Sequence, residues 1–213
     1  MIYPEAGWGY VRAASRRSAR LSKEEKKFLA TVWLGLKRRW EFDRDNPGAI
    51  SPIIFSFTSR ATISELLAPD SNVAFDLSGF GGGEHWPWVR PDTGFLVWDP
   101  QRSGRIASAR QMFGTYTFGI PRENGYRALA SLDDNRDGFL TGAELHGIAV
   151  WFDANGDASS ERGEVIPVED LGITSIAIHE SGLEGIHPTN SQGVMLRDGT
   201  WLPTWDWVVA PRR

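Results

Sequence analysis

Two stretches of twelve residues, 133–144 and 153–164, constrain this chain more than any other part of it. The first reads Asp133-Asp134-Asn135-Arg136-Asp137-Gly138-Phe139-Leu140-Thr141-Gly142-Ala143-Glu144. It matches the cation-loop pattern D-x-[DN]-x-[DN]-G-x₅-E at every specified position. The second reads Asp153-Ala154-Asn155-Gly156-Asp157-Ala158-Ser159-Ser160-Glu161-Arg162-Gly163-Glu164 and departs once, with Ala158 in the place of glycine.

The spacing suits a hard cation. Ca²⁺ takes six to eight oxygens at about 2.3–2.6 Å, and a short loop supplies them when alternate residues point inward. In the first loop the expected ligands are the side chains of Asp133, Asn135 and Asp137, the carbonyl of Phe139, Thr141 through a water, and Glu144 with both carboxylate oxygens. The second loop offers Asp153, Asn155, Asp157, the Ser159 carbonyl, Glu161 and Glu164. Gly138 permits a positive φ at the turn. Ala158 carries a cost of about 1 kcal/mol there, so the second site is expected to be the weaker. Calcium, two ions per chain, is the expected cofactor. The competing reading is a pair of polar turns that form without metal.

Composition narrows the rest. The chain has 213 residues, 41% of them hydrophobic, and a net charge of −4, which suits one globular domain with an appendage. With no cysteine there is no disulfide framework and no thiolate metal site. The four histidines (His85, His146, His179 and His187) show no metal-ligand spacing. No apolar run is long enough for a transmembrane helix. No clear secretory signal stands at the start: the apolar stretch 28–36 is short and lacks a small-residue cleavage site.

Along the chain, residues 1–50 read as a basic extension and 51–213 as the main domain. Ser22 with Glu24 and Glu25 marks a helix start, and Phe28, Val32, Leu36 and Trp40 form one apolar stripe beside Leu29 and Trp33. The basic residues between Arg12 and Arg44 are read as a solvated face on that helix, so nucleic acid is not expected as a partner. Strands are expected at 53–57, 73–77, 94–99 and 175–179, and a hairpin with an Asp198-Gly199 turn near the end. The glycine cluster 79–83 lacks a phosphate-loop lysine and reads as a turn. A helix is expected over 126–132. A second, over 143–152 and about 15 Å long, is expected to leave the first loop and enter the second.

The order of these segments resembles bacterial secreted or surface proteins of the RTX or haemolysin-like kind, which carry EF-hand-like calcium repeats. The residues that carry the resemblance are Ala74-Phe75-Asp76-Leu77, Gly94-Phe95-Leu96-Val97-Trp98-Asp99, Gly104-Arg105-Ile106, Phe113-Gly114, Asn124-Gly125-Tyr126-Arg127-Ala128-Leu129, both loops, and Leu171-Gly172-Ile173. The likeness covers residues 53–178 and implies an extracellular or cell-envelope setting. It has two gaps. The segment from Asp76 has Ser78 and Phe80 where acids are expected. The segment from Asp99 carries Arg102 and Arg105, with Arg110 at its twelfth position. Four loop-like segments thus reduce to two plausible sites.

The fold expected is α+β: short strands and hairpins packed around a compact pair of EF-hand-like calcium loops that share a helix, with an N-terminal helix. The function expected is a calcium-binding, non-catalytic structural or surface module. The alternative is a carbohydrate- or cell-wall-binding module that stacks cell-surface polysaccharide on Trp86, Trp88, Trp98, Trp201, Trp205 and Trp207, although core packing is the commoner fate of such rings. A third reading, a hydrolase using Glu84, His85 and Asp92, rests on sequence adjacency alone.

Overall fold

Uninterrupted runs of β-branched and aromatic residues build the centre of the molecule. Strands β1 (Ile53–Ser56), β4 (Thr93–Trp98) and β6 (Ile148–Phe152) are buried almost throughout, as strands covered on both faces are. They belong to a computed structural model that describes residues 22–27, 30, 37, 49–58, 62–79, 81 and 83–212.

The other strands are β2 (Leu67–Ala74), β3 (His85–Val89), β5 (Phe139–Thr141), β7 (Val165–Pro167), β8 (Ile173–Ala177), β9 (Gly182–Glu184), β10 (His187–Leu196) and β11 (Trp201–Asp206). Nine strands form one sheet in the order β5-β8-β10-β11-β1-β4-β6-β7, with β9 against β10, while β2 and β3 make a separate pair. The pairings of the large sheet are antiparallel, and it curls into a half-barrel.

Alternation sends neighbouring side chains to opposite faces. Ile54, Phe95, Val97, Ala149 and Trp151 join Trp86, Trp88 and Val89 of the small sheet in one core. Ile53, Phe55, Leu96, Ile148 and Val150 join Tyr126 and Leu129 of the short helix α1 (Gly125–Leu129) in the other. Asn124 caps α1 by accepting the N–H of Arg127 at 3.0 Å. The Tyr126 hydroxyl lies 2.8 Å from the Thr204 hydroxyl, and burial pushes its pKa up.

The α+β expectation is overturned, since the chain is mostly antiparallel β. No helix joins the loops. Residues Gly142–Leu145 form one 3-10 turn, Gly147 then takes φ 87°, and the chain runs straight into β6. A short apolar run such as Ile148-Ala149-Val150-Trp151-Phe152 fits a buried strand as well as a helix. Here β4 decides, pairing with all five residues of β6 from Gly94↔Phe152 to Trp98↔Ile148.

Other expectations held in outline. The last hairpin turns at Gly199, φ 86°. Its first strand, β10, begins at His187, earlier than read from sequence. At the N-terminus, Ser22 donates its N–H to Glu25 at 2.7 Å and accepts the Glu25 N–H at 3.2 Å, and residues 23–27 are helical. The apolar stripe of Phe28, Leu29, Val32, Trp33, Leu36 and Trp40 lies outside the described residues.

Candidate metal centre

The two acidic loops fold alike. In the first, Asp133 accepts the N–H of Arg136 at 2.7 Å and of Gly138 at 3.2 Å. In the second, Asp153 accepts the N–H of Gly156 at 2.9 Å and of Ala158 at 2.8 Å. The third residue accepts from the fifth in each: Asp137 N–H to Asn135 Oδ1 at 2.8 Å, Asp157 N–H to Asn155 Oδ1 at 3.1 Å. Asn135 and Asn155 each donate an amide N–H back to that aspartate at 3.0 Å. Asp137 also accepts the N–H of Phe139 at 2.9 Å, and Asp157 that of Ser159 at 2.7 Å.

The closing glutamates tie the ends together. Glu144 accepts from Asp134 at 2.9 Å, Asn135 at 3.2 Å and Thr141 at 3.0 Å. Glu164 accepts from Ala154 and from Glu161, both at 2.9 Å. Each terminal carboxylate therefore reaches across twelve residues to the loop's own beginning. The backbone is left-handed at the same two places, Arg136 (φ 62°) and Gly138 (φ 93°) in one loop, Gly156 (φ 75°) and Ala158 (φ 60°) in the other. The expected strained turn at Ala158 is therefore present, and its methyl is buried in the core.

The loops are mounted differently. From Phe139 the first becomes β5, which pairs with β8. The second instead accepts the Ile106 N–H on Ser160 Oγ at 2.8 Å. Asp153 and Glu164 are buried, whereas Asp133 and Glu144 are half-exposed. Asp153 also receives the indole N–H of Trp88 at 2.6 Å. That contact spans 65 residues of sequence, so no local pattern announces it.

Do these residues fit a cation? Among the described residues, no three of His, Cys, Asp and Glu converge to form a metal cluster by themselves. The loops are built instead from mixed oxygens, with an asparagine and a backbone carbonyl in each set, which is the donor chemistry of Ca²⁺. A carboxylate has about four lone-pair sites. Asp133 uses two and Glu144 three on backbone N–H groups, so both retain capacity. Asp153 is the most engaged, with Gly156, Asp157, Ala158 and Trp88 all donating to it.

The degenerate segments are closed by their own hydrogen bonds. Asp99 is buried and accepts the Ser103 N–H at 2.9 Å, the Ser103 hydroxyl at 2.8 Å and the Gly104 N–H at 2.8 Å. Arg102 leans away toward Glu169 at 3.8 Å, and Arg110 donates to the Gly79 carbonyl at 2.7 Å. Asp76 accepts the Ser78 hydroxyl at 3.1 Å, while Phe80 lies outside the described residues. The Asp99 segment and the second loop both line an open cleft of about 860 Å³, which no local sequence pattern announces.

The other candidate residues do not assemble. Trp86, Trp88, Trp205 and Trp207 are buried, at 2% exposure or less, and only Trp98 and Trp201 of the six rings are part-exposed. A sugar cannot stack on rings inside the core. Glu84 and His85 stand at the start of β3 and Asp92 in the turn beyond its end, with the length of the strand, about 13 Å at roughly 3.3 Å per residue, between them. Asp92 instead accepts the Thr58 hydroxyl at 3.1 Å.

Comparison with known proteins replaces the RTX-like, EF-hand-repeat likeness. A family model described as the SPM domain matches residues 62–200. A relative, the iron-regulated protein FrpA of Neisseria meningitidis serogroup C, is 37% identical over 94 residues. That stretch is 42% of this chain and 8% of the relative's own length. Neither match is to an EF-hand or RTX repeat. The order of segments from Ala74 to Ile173, the loops included, suggested that likeness, but the loops alternate with strands of one sheet.

Proposed function

The chain belongs to the SPM domain family, and we propose that it is a calcium-binding, non-catalytic module in which Ca²⁺ stabilises the two loops at 133–144 and 153–164. The observation that supports the reading most is their shared hydrogen-bond scheme. Two segments 20 residues apart, in different settings, orient the same residue types in the same way. Polar turns in general have no reason to bring a twelfth-position glutamate back to the loop's first residues. A central hard cation does, because it needs oxygens from both ends.

The residues proposed to hold the ions are Asp133, Asn135, Asp137, Phe139, Thr141 and Glu144, and Asp153, Asn155, Asp157, Ser159, Glu161 and Glu164. Without metal these carboxylates repel one another and rely on backbone N–H groups for compensation. Binding at these loops holds both ends of β6 in place, since Glu144 lies shortly before it and Asp153 directly after. Among the described residues no helix is long and apolar enough to cross a membrane.

Calorimetric titration of the chelator-stripped protein tests the reading. Two ions per chain are expected. No heat of binding in millimolar calcium, with no change in melting, would overturn it.

A further inference from the structure

Trp88 lies on β3, outside the large sheet, yet its indole N–H ends on the first residue of the second loop. The Nε1 to Asp153 Oδ2 distance is 2.6 Å, and both residues are fully buried. The ring has little freedom to leave. Phe95 packs against it at 5.0 Å, Phe75 at 5.6 Å, and Trp151 edge-on at 5.8 Å between centroids. The first loop has nothing comparable: the hydrogen bonds recorded to Asp133, among the described residues, come from the loop's own backbone at Arg136 and Gly138.

We propose that Trp88 is a positioning residue for the second calcium site, coupling ion binding there to the aromatic core. The inference rests on the calcium reading given above. A donor fixed behind a ligand carboxylate sets its rotation: Oδ2 of Asp153 takes the Trp88 and Ala158 N–H groups, while Oδ1 takes those of Gly156 and Asp157 within the loop, where an ion would share it with them. Removing such a donor typically weakens metal binding 10–100-fold. The coupling also runs in reverse: an ion that draws on Asp153 perturbs the indole N–H of Trp88, and tryptophan emission responds.

The test isolates the second loop by working in Glu144→Gln protein and titrating with Ca²⁺ by calorimetry. Trp88→Phe keeps an aromatic ring and deletes the donor. Trp86→Phe is the control: its indole donates to the Phe75 carbonyl at 3.0 Å, from the same strand, with no recorded hydrogen bond to the loop. Trp88→Phe is expected to weaken the remaining site about 10–100-fold, with Trp86→Phe close to the parent. Equal affinity in all three proteins overturns the role of Trp88 while leaving two-site calcium binding intact. An equal loss in both tryptophan variants also overturns it, since general core damage then suffices. A wild-type protein that takes up no calcium overturns both readings. A second measurement leaves Trp88 in place. Calcium should change tryptophan emission in Glu144→Gln and not in Glu164→Gln, and an unresponsive Glu144→Gln protein that still binds one ion sinks the coupling.

Discussion

Val150 stands where a side chain at position 94 would be: a Cβ built on Gly94 lies 2.2 Å from Val150 Cγ1. Gly94 is there because β4 and β6 must approach closely at the centre of the sheet, with Phe152 opposite. Gly94→Ala is expected to destabilise the protein by about 1–3 kcal/mol through overpacking. Denaturant midpoints should show it, and Val150→Ala should relieve part of the cost in the double variant. Strict additivity of the two changes would mean that the clash is absorbed elsewhere.

Calcium is expected to raise the melting temperature. An ion that binds only the folded chain adds about 2.7 kcal/mol at one hundred times its Kd. For a chain of this size that is roughly 5–10 °C per loop. Melts recorded in chelator and in millimolar calcium test this, and superimposable curves would contradict it.

Ion stoichiometry separates intact loops from degenerate ones. Terbium, a hard cation of similar size, is expected to enter two sites per chain, with emission sensitised by Trp88 and Trp151, which flank Asp153 in space and in sequence. Glu144→Gln and Glu164→Gln should each leave one. Asp99→Ala should leave both ions bound while costing about 1–3 kcal/mol, because three donors lose their acceptor. Uptake of a third ion that Asp99→Ala removes would show that the arginine-bearing segment still binds.

Acid is expected to weaken the end of the chain through His187. Its Nδ1 accepts the Val208 N–H at 3.1 Å, which requires an unprotonated nitrogen. Burial pushes its pKa below the ordinary 6.5, and Glu184, opposite it on β9, acts in the other direction. The folded chain therefore binds this proton less well than the unfolded chain. The contribution is complete above pH 6.5 and is lost as pH falls through the lower folded value. His187→Gln should flatten the melting profile between pH 6.5 and that lower folded value only. Parallel profiles for the two proteins across the acid range would exclude the effect.

The shape of the two loops was legible in sequence because each is a local device, with its acid, amide and turn positions inside twelve residues. The positive φ expected at the turn is present at both Gly138 and Ala158. The last hairpin was legible for the same reason, through Asp198-Gly199. What joins the loops was not. Ile148 to Phe152 is a strand only because Thr93 to Trp98, some fifty residues earlier, supplies a partner, and periodicity over so short an apolar run does not choose between helix and strand. The tryptophans show the same limit. Trp88 and Trp205 are amphipathic enough for a surface, yet both are core residues whose N–H groups find carboxylates, Asp153 and Glu184, at 2.6 Å. Such pairings are products of topology. The pull toward a repeat family came from the order of the segments together with the loops, whose spacing is identical whether helices or strands flank them.

Because β6 is a strand, the loops are held apart by about 16 Å, five residues at roughly 3.3 Å each. A helix of the same length would have been shorter per residue and turned its ends around its axis. At physiological ionic strength charges are screened over about 8 Å, so two divalent ions bound as proposed at the ends of β6 would scarcely repel. Nor can they share a carboxylate or a bridging water. Each loop would therefore fill according to its own affinity. The chain would respond to calcium in two separate steps, over a wide range of concentration, instead of switching sharply at one.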